Sequence, residues 1–395
     1  MMVGQEKARG FLPDPAGSGR QAHPMRERKQ CGMKRMRRWL AGGLLLAMLW
    51  ALPGCGGETP PAASSGSGSG AASSGGEPEP VVAEPAYRHP LTGLGMDEDI
   101  SARRPVAVML NDLKAAQPQL GVSKADLIYE MPAEGGITRM VAVYQSLEGV
   151  GNLGSIRSTR AYYLELALGH DALLVHAGGS PEAYEDIPAW GVDNMDGVNG
   201  GSDAKIFWRD PERRKTMGYE HSLLTSGEAV QGYLDEGHFR TEHQEGYAEA
   251  LRFTEDGTPQ GGMAASHVEL CYSSYKTATF DYDAAAGLYL VGQFGGAYID
   301  GSSGQQVGVT NVLALETRIR PIPGDSAGRM RAELTGSGSG TFFCGGQSIP
   351  IRWEKASRND PFVYRTEDGR LLELGRGVSY IGIYDPGSTG KLSVE

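Results

Sequence analysis

Arginine, histidine and glycine crowd one stretch of the chain, GSIRSTRAYYLELALGHDALLVHAGGSPEAY, from Gly154 to Tyr184. Arg157 and Arg160 precede an apolar helical pattern, His176 closes a short aliphatic run, and Gly178, Gly179 and Ser180 lead into Pro181. A guanidinium is a planar, permanently charged fork that can give a carboxylate or phosphate two hydrogen bonds. The first amides of a helix carry partial positive charge and point beyond its N-terminus. The chemistry open to this set is the holding of an anion. Catalytic residues are not assigned.

Two neighbouring stretches add candidates. In AEGGITR, Glu134 and Arg139 flank Gly135-Gly136, a turn between two strands. Glu130 and Glu134 are a carboxylate pair that could act as acid and base only if the fold brings them together. FWRDPERRKTMGYEHSLLTS gathers Arg209, Arg213, Arg214, Lys215 and His221, either a solvated loop or a frame for the same anion. For each residue taken alone a structural role is the simpler account: Arg157 and Arg160 paired with Glu130, Glu134 or Glu165, His176 hydrogen-bonded in the core, the glycines serving a turn. The sequence holds no P-loop, no His-Glu-x-x-His and no Gly-x-Ser-x-Gly elbow. GVDNMDGVNGGSD does not match a calcium loop. Neither a cofactor nor a metal is expected.

The elements that must position these residues follow from periodicity and caps. Arg104–Asn111, Ala125–Met131 and Thr138–Gln145 are apolar runs of strand length. Ser158 is a candidate N-cap for a helix with Ala161, Leu164, Ala167 and Leu168 on one face and Gly169 at its end. Ala172–His176 is a buried strand, and Ser180 with Pro181 opens the next helix. This alternation predicts an α/β domain with a mixed sheet. From about Leu251 short alternating runs separated by Gly, Asp and Pro predict a mostly antiparallel β domain, with a tight hairpin at Gly345-Gly346. The class is α+β overall. A helix that leads into the strand ending at His176 must start near that strand's carboxyl end, where open α/β sheets place ligands. This expectation joins Arg157, Arg160, His176, Gly178, Gly179 and Ser180 in one rim, with Glu134, Arg139 and His221 as secondary members.

The front of the chain gives an address. MKRMRRWLAGGLLLAMLWALPGC, from Met33, combines a basic start, a short apolar run and a small residue before cysteine, the pattern of a signal peptide. The run is shorter than the roughly 20 apolar residues that span a bilayer. Leu52-Pro53-Gly54-Cys55 resembles a bacterial lipobox, which implies a lipid on Cys55, palmitate included, after cleavage before it. Residues 1–32 read as an upstream start-site extension, 33–54 as signal peptide, and 55–86 as lipidated cysteine and flexible Gly/Ser/Pro tether. The α/β domain is expected over 87–248 and the β-rich domain over 249–395.

The chain has 37 Lys and Arg against 48 Asp and Glu; taking away the 10 and 3 before Cys55 leaves a net charge of −18. Such a body argues against nucleic acid as a partner. Cys271 and Cys344 can be one disulfide or two buried small side chains.

RPVAVMLN, AQPQLGVSKADLIYE, EGGITRM, GSIRSTRAYY, HAGGSPEAY and EHSLLTS resemble the YerB-like lipoproteins, as do YDAAAGLYL, NVLALE, GSGSGTFFCGGQSIPIRWEK and PFVYRTEDGRLLELGRGVSYIGI in the second half. The resemblance implies an α/β domain joined to a β-rich domain on a lipid anchor, and no catalytic residues. TRMVAVYQ with SIRSTR is similar, over about thirty residues, to the LytR-CpsA-Psr cell-wall ligases, which implies glycan or phosphoryl transfer as an alternative. The leading expectation is a binding or accessory protein on the outer face of the bacterial cytoplasmic membrane. It would hold an anionic cell-wall or lipid-linked ligand at the rim; a third expectation is a scaffold that docks an envelope protein.

Overall fold

The computed structural model describes residues 84–395. The signal segment, Cys55 and the tether up to residue 83 lie outside the described residues. Among the described residues no helix is long and apolar enough to cross a membrane.

Three apolar runs become adjacent strands, β1 (Val106–Asp112), β2 (Leu127–Pro132) and β3 (Thr138–Tyr144). β3 lies antiparallel to both of the others, so β1 and β2 point the same way. β1 is buried along its whole length, as its unbroken Val-Ala-Val-Met-Leu run requires of a strand covered on both faces. After helix α1 (Ala161–Gly169) the chain returns as β4 (Leu173–His176), parallel to β1. Helix α2 (Pro181–Trp190) then leads to β5 (Asn194–Asp196), parallel to β4. A short helix α3 (Pro211–Thr216), strand β6 (Leu223–Ser226) and helix α4 (Gly227–Asp235) complete the first half.

The two helix starts differ from each other. Ser180 caps α2 as expected, its hydroxyl accepting from the Ala183 amide at 3.1 Å. Ser158 does not cap α1. Arg160 holds that N-cap position without a side-chain cap, and the Ser158 hydroxyl donates to the Ala177 carbonyl at 2.9 Å. The cause is backbone pairing: Ala177 donates to Arg157 O, Thr159 to Gly178 O, and Ser180 to Thr159 O. Those bonds keep residues 157–159 extended, and helical φ/ψ begins only after them.

The second half supplies β7 (Met263–Ala264), β8 (His267–Cys271), β9 (Thr277–Asp283), β10 (Leu288–Gln293), β11 (Asn311–Glu316), β12 (Gly336–Cys344), β13 (Gln347–Lys355), β14 (Val363–Thr366), β15 (Ser379–Tyr384) and β16 (Lys391–Val394). The hairpin between β12 and β13 closes through Cys344 and Gln347. Its turn residues Gly345 and Gly346 have φ of +59° and +72°, the left-handed pair that a two-residue turn of type I′ needs. Cys271 and Cys344 are both buried.

One eleven-stranded sheet takes strands from both halves, in the order β7-β13-β12-β11-β15-β2-β3-β1-β4-β5, with β14 beside β13. Its join is β15, parallel to β11 on one side and to β2 on the other, with Tyr380 opposite Val312 and Ile128. A second sheet, built on β10-β9-β8-β16, is antiparallel. The fold is α+β: a mixed sheet in the first half and mostly antiparallel pairing in the second.

Strand alternation divides the core by face. Val108, Leu110, Ile128 and Met140 meet Leu270, Phe280, Tyr289 and Tyr298 of the second sheet. Met109, Tyr129 and Val141 meet Tyr163, Leu164 and Ala167 of α1 on the opposite side. Gly382, in the middle of β15, makes the sheet-on-sheet contact possible: a Cβ there would fall 2.2 Å from Leu270 Cδ2 and 2.6 Å from the Tyr272 hydroxyl. Gly382→Ala is therefore expected to lower the unfolding free energy by about 1–3 kcal/mol through overpacking, measured by urea denaturation. An unchanged midpoint would show that the two sheets can separate without cost.

Candidate functional site

β1, β2, β4 and β5 run in one direction, and their carboxyl ends form one rim of the sheet. The turn after β2, the extended segment 155–160, the Gly178–Ser180 turn and residues 219–221 are placed along or beside it by the strand pairings.

Glu134, in the turn between β2 and β3, collects two arginines. Arg160 Nε donates to Glu134 Oε2 at 3.1 Å and Arg160 Nη2 to Oε1, while Arg139 Nη2 donates to Oε1 at 3.1 Å. Arg160 Nη1 donates to the Thr159 carbonyl at 2.6 Å. Arg139 is 3% exposed and Arg160 7%, so neither guanidinium is open to a ligand as the sequence suggests. Burial would raise the Glu134 carboxyl; the Arg139 charge and the Arg160 hydrogen bonds overcome it and hold the group at about 2. The turn is fixed from α1, where Tyr162 and Tyr163 donate to the carbonyls of Pro132 and Met131 at 3.1 and 3.0 Å. Two buried arginines thus share one carboxylate. Arg139 Nη1 is buried and has no hydrogen-bond partner among the described residues.

The glycine turn has an anion of its own. Asp196, at the end of β5, accepts from the Gly178 amide at 2.8 Å, the Val198 amide at 2.9 Å and the Tyr184 hydroxyl at 2.6 Å. Burial opposes its ionisation, yet those donors and the nearby His176 hold it below the usual carboxylate range. His176 is fully buried. Its Nδ1 contacts the Gly178 carbonyl at 2.9 Å and its Nε2 contacts Asn194 Oδ1 at 3.0 Å. Gly178 has φ of +80°, and the Ser180 hydroxyl is spent on its own helix. His176, Gly178 and Ser180 therefore build the wall behind the rim, and their polar groups are turned inward. Glu130 does not pair with Glu134: strand alternation puts it on the opposite face of the sheet, against Lys276.

Arg157 and His221 remain partly open. The Arg157 side chain is 19% exposed and meets Glu220 through its carbonyl at 3.3 Å and its carboxylate at 3.4 Å. Asn111 fixes the His221 tautomer. Asn111 Oδ1 accepts from the Leu113 amide at 3.2 Å, so Nδ2 faces His221 Nδ1 at 2.9 Å and must donate to it. An accepting Nδ1 leaves the ring proton on Nε2. Burial, then the charges of Arg157 and Arg213 against the opposing Glu220, lower the proton affinity of His221, which keeps the ring in this neutral donor form.

A cavity of about 630 Å³ opens at the opposite rim, beside α4, lined by Arg104, Tyr144, Gln145, Leu173, Leu234 and Arg240 among others. The Arg103-Arg104 pair before β1 is its only trace in the sequence. Arg104 is tied to Asp193 at 2.6 Å and Arg240 to Asp171.

Sequence and structure comparisons agree on the family. Residues 91–240 match the family model described as "Protein of unknown function (DUF3048) N-terminal domain", and residues 268–381 match its C-terminal domain. "Putative lipoprotein YerB" of Bacillus subtilis (strain 168) is 30% identical over 298 residues, covering 74% of this chain and 85% of that protein. The chain belongs to the YerB-like family. The crystal structure of YerB protein from Bacillus subtilis aligns with a TM-score of 0.67 at 28% identity, over 78% of this chain and 99% of that one. Family membership makes this chain a relative of a putative lipoprotein. The two family segments meet inside the large sheet, at the pairing of β15 with β2.

The Glu134 clamp carries a pH signature. Its carboxyl is held below the ordinary value of 4.5, at about 2, so its stabilisation is complete above about 4.5 and lost as pH falls toward 2. Glu134→Gln strands two buried guanidinium groups and is expected to cost about 3 kcal/mol at pH 7. In urea denaturation across pH, the gap between variant and wild type should narrow below pH 4.5. A gap that stays constant down to pH 2 would exclude the clamp as its source.

Proposed function

We propose that this YerB-like protein is lipid-anchored through Cys55 on the outer face of the cytoplasmic membrane and holds an anionic envelope ligand at the rim. The ligand class is a phosphate- or carboxylate-bearing cell-wall or lipid-linked glycan. Arg157 and the His221 Nε2–H are the groups that reach it, with Gly179 lining the approach and the Glu134–Arg139–Arg160 clamp behind them. The observation that supports this most is the pairing of cations: among the described residues Arg139 and Arg160 share one carboxylate, Glu134, while Arg157 meets Glu220. Two cations on one carboxylate leave a local positive excess at that clamp, on a chain whose net charge is −11, and local excess of one sign draws the opposite ion. Arg139 Nη1, buried without a hydrogen-bond partner among the described residues, is a donor at that clamp.

Arg157 is partly exposed and His221 half-buried, so both can be replaced without opening the core. Calorimetric titration of the purified full chain with inorganic pyrophosphate and with soluble anionic cell-wall fragments should show binding. Arg157→Ala should weaken it by about tenfold, the size of one charge-assisted hydrogen bond, with an unchanged melting temperature. Equal affinity in wild type and Arg157→Ala, or no binding of either probe, would leave the rim as framework and favour a scaffold that docks a protein.

A further inference from the structure

Beneath the rim, on the face covered by the second sheet, lies a group of charges with no access to solvent. Lys276, Asp112 and Glu130 have side chains that are 0% exposed. Lys276 Nζ is 2.6 Å from Asp112 Oδ2 and 3.1 Å from Glu130 Oε1. The Thr138 hydroxyl lies 2.7 Å from Asp112 Oδ2 and 2.6 Å from Glu130 Oε1, and the Tyr380 hydroxyl donates to Glu130 Oε2. Phe294 places its ring 4.4 Å below Nζ from a backbone with φ of +53°, a conformation rare for a large side chain.

As separate groups this set is poorly accommodated. One ammonium faces two carboxyl groups in a fully buried place, where an unpaired charge is expensive. Among the described residues Asp112 Oδ1 has no hydrogen-bond partner, and Lys276 Nζ makes close charge contacts without hydrogen-bond geometry. Burial first, against Lys276 and with Asp112 adding to it, raises the Glu130 carboxyl above the ordinary carboxylate range, which favours its protonated form. An amine in contact with a carboxyl, an acid touching both, aromatic walls and full burial are the conditions in which an amide can form and is not hydrolysed.

We propose that Lys276 and Asp112 condense into an intramolecular isopeptide bond, with Glu130 relaying the protons. The Nζ–Cγ bond forms and the Cγ–Oδ2 bond breaks. Two protons of the ammonium leave with Oδ2 as water, and the third stays on the amide nitrogen. Glu130 gives a proton to the departing oxygen and recovers one from nitrogen, ending as it began. No oxidant is consumed. The product removes one positive and one negative charge from the core, sets the amide N–H toward Glu130 Oε1, and keeps Asp112 Oδ1 as its carbonyl. Lys276 ends the β8–β9 turn and Asp112 ends β1, so the bond would fasten the second half of the chain to the first.

Mass spectrometry of the purified full chain tests this without a variant. Digestion with trypsin should yield residues 104–114 joined to a peptide that runs uncut through Lys276, lighter than the two together by one water molecule. Glu130→Gln keeps both reacting groups and should give the separate peptides in a chain whose circular dichroism remains that of the folded protein. Separate peptides from folded wild type overturn the proposal. A bond from Lys276 to Glu130 overturns the assignment of roles, and a bond that persists in Glu130→Gln overturns the relay.

Discussion

Everything in this molecule depends on β15 lying between β11 and β2. The first half has a three-strand antiparallel core with parallel strands added on one side only, and β2 would be a bare edge without a strand from the second half. An exposed, apolar edge invites pairing with other chains. Here the C-terminal region fills it, with Ile381 and Ile383 toward the helices and Tyr380 toward the second sheet. The two family segments share one sheet, and the rim next to that join is held from both sides: the Ser273 hydroxyl donates to the Gly136 carbonyl in the turn after β2.

The rim shows how a fold can use anion-binding geometry for its own needs. Glycine turns and helix starts attract negative charge, and here Asp196 meets the Gly178 amide while Glu134 meets the two arginines. Such pairs fix loops with short hydrogen bonds, and their removal leaves buried charge uncompensated. Arg157 and His221 are the members of this set that come to the surface, Arg157 beside Glu220.

Local rules made much of this legible. Apolar runs of strand length located β1, β2 and β3 within two residues; Ser180-Pro181 marked the start of α2, and Gly345-Gly346 marked a hairpin. Pairing Arg160 with Glu134 was open to sequence reasoning because a structural partner is the simpler account of any arginine. Ser158 misled because its capping potential is local, whereas the backbone pairing of residues 157–160 with 177–180 is not. Of the Asp112–Glu130–Lys276 group only Glu130 stood out, and as a possible partner of Glu134 rather than of Lys276. Asp112 looks like a polar strand end and Lys276 like a turn residue, and they meet only because two sheets stack, across a separation that no periodicity spans.

The position of β15 in the order of synthesis has one more effect. Ribosomes deliver the chain from its N-terminus, and domains generally fold as units once their parts are present. The strand that completes the first half is among the last to emerge, so that half cannot close its sheet while the remainder is being made. Until β15 pairs with β2, the first half keeps an open sheet edge along Leu127–Glu130.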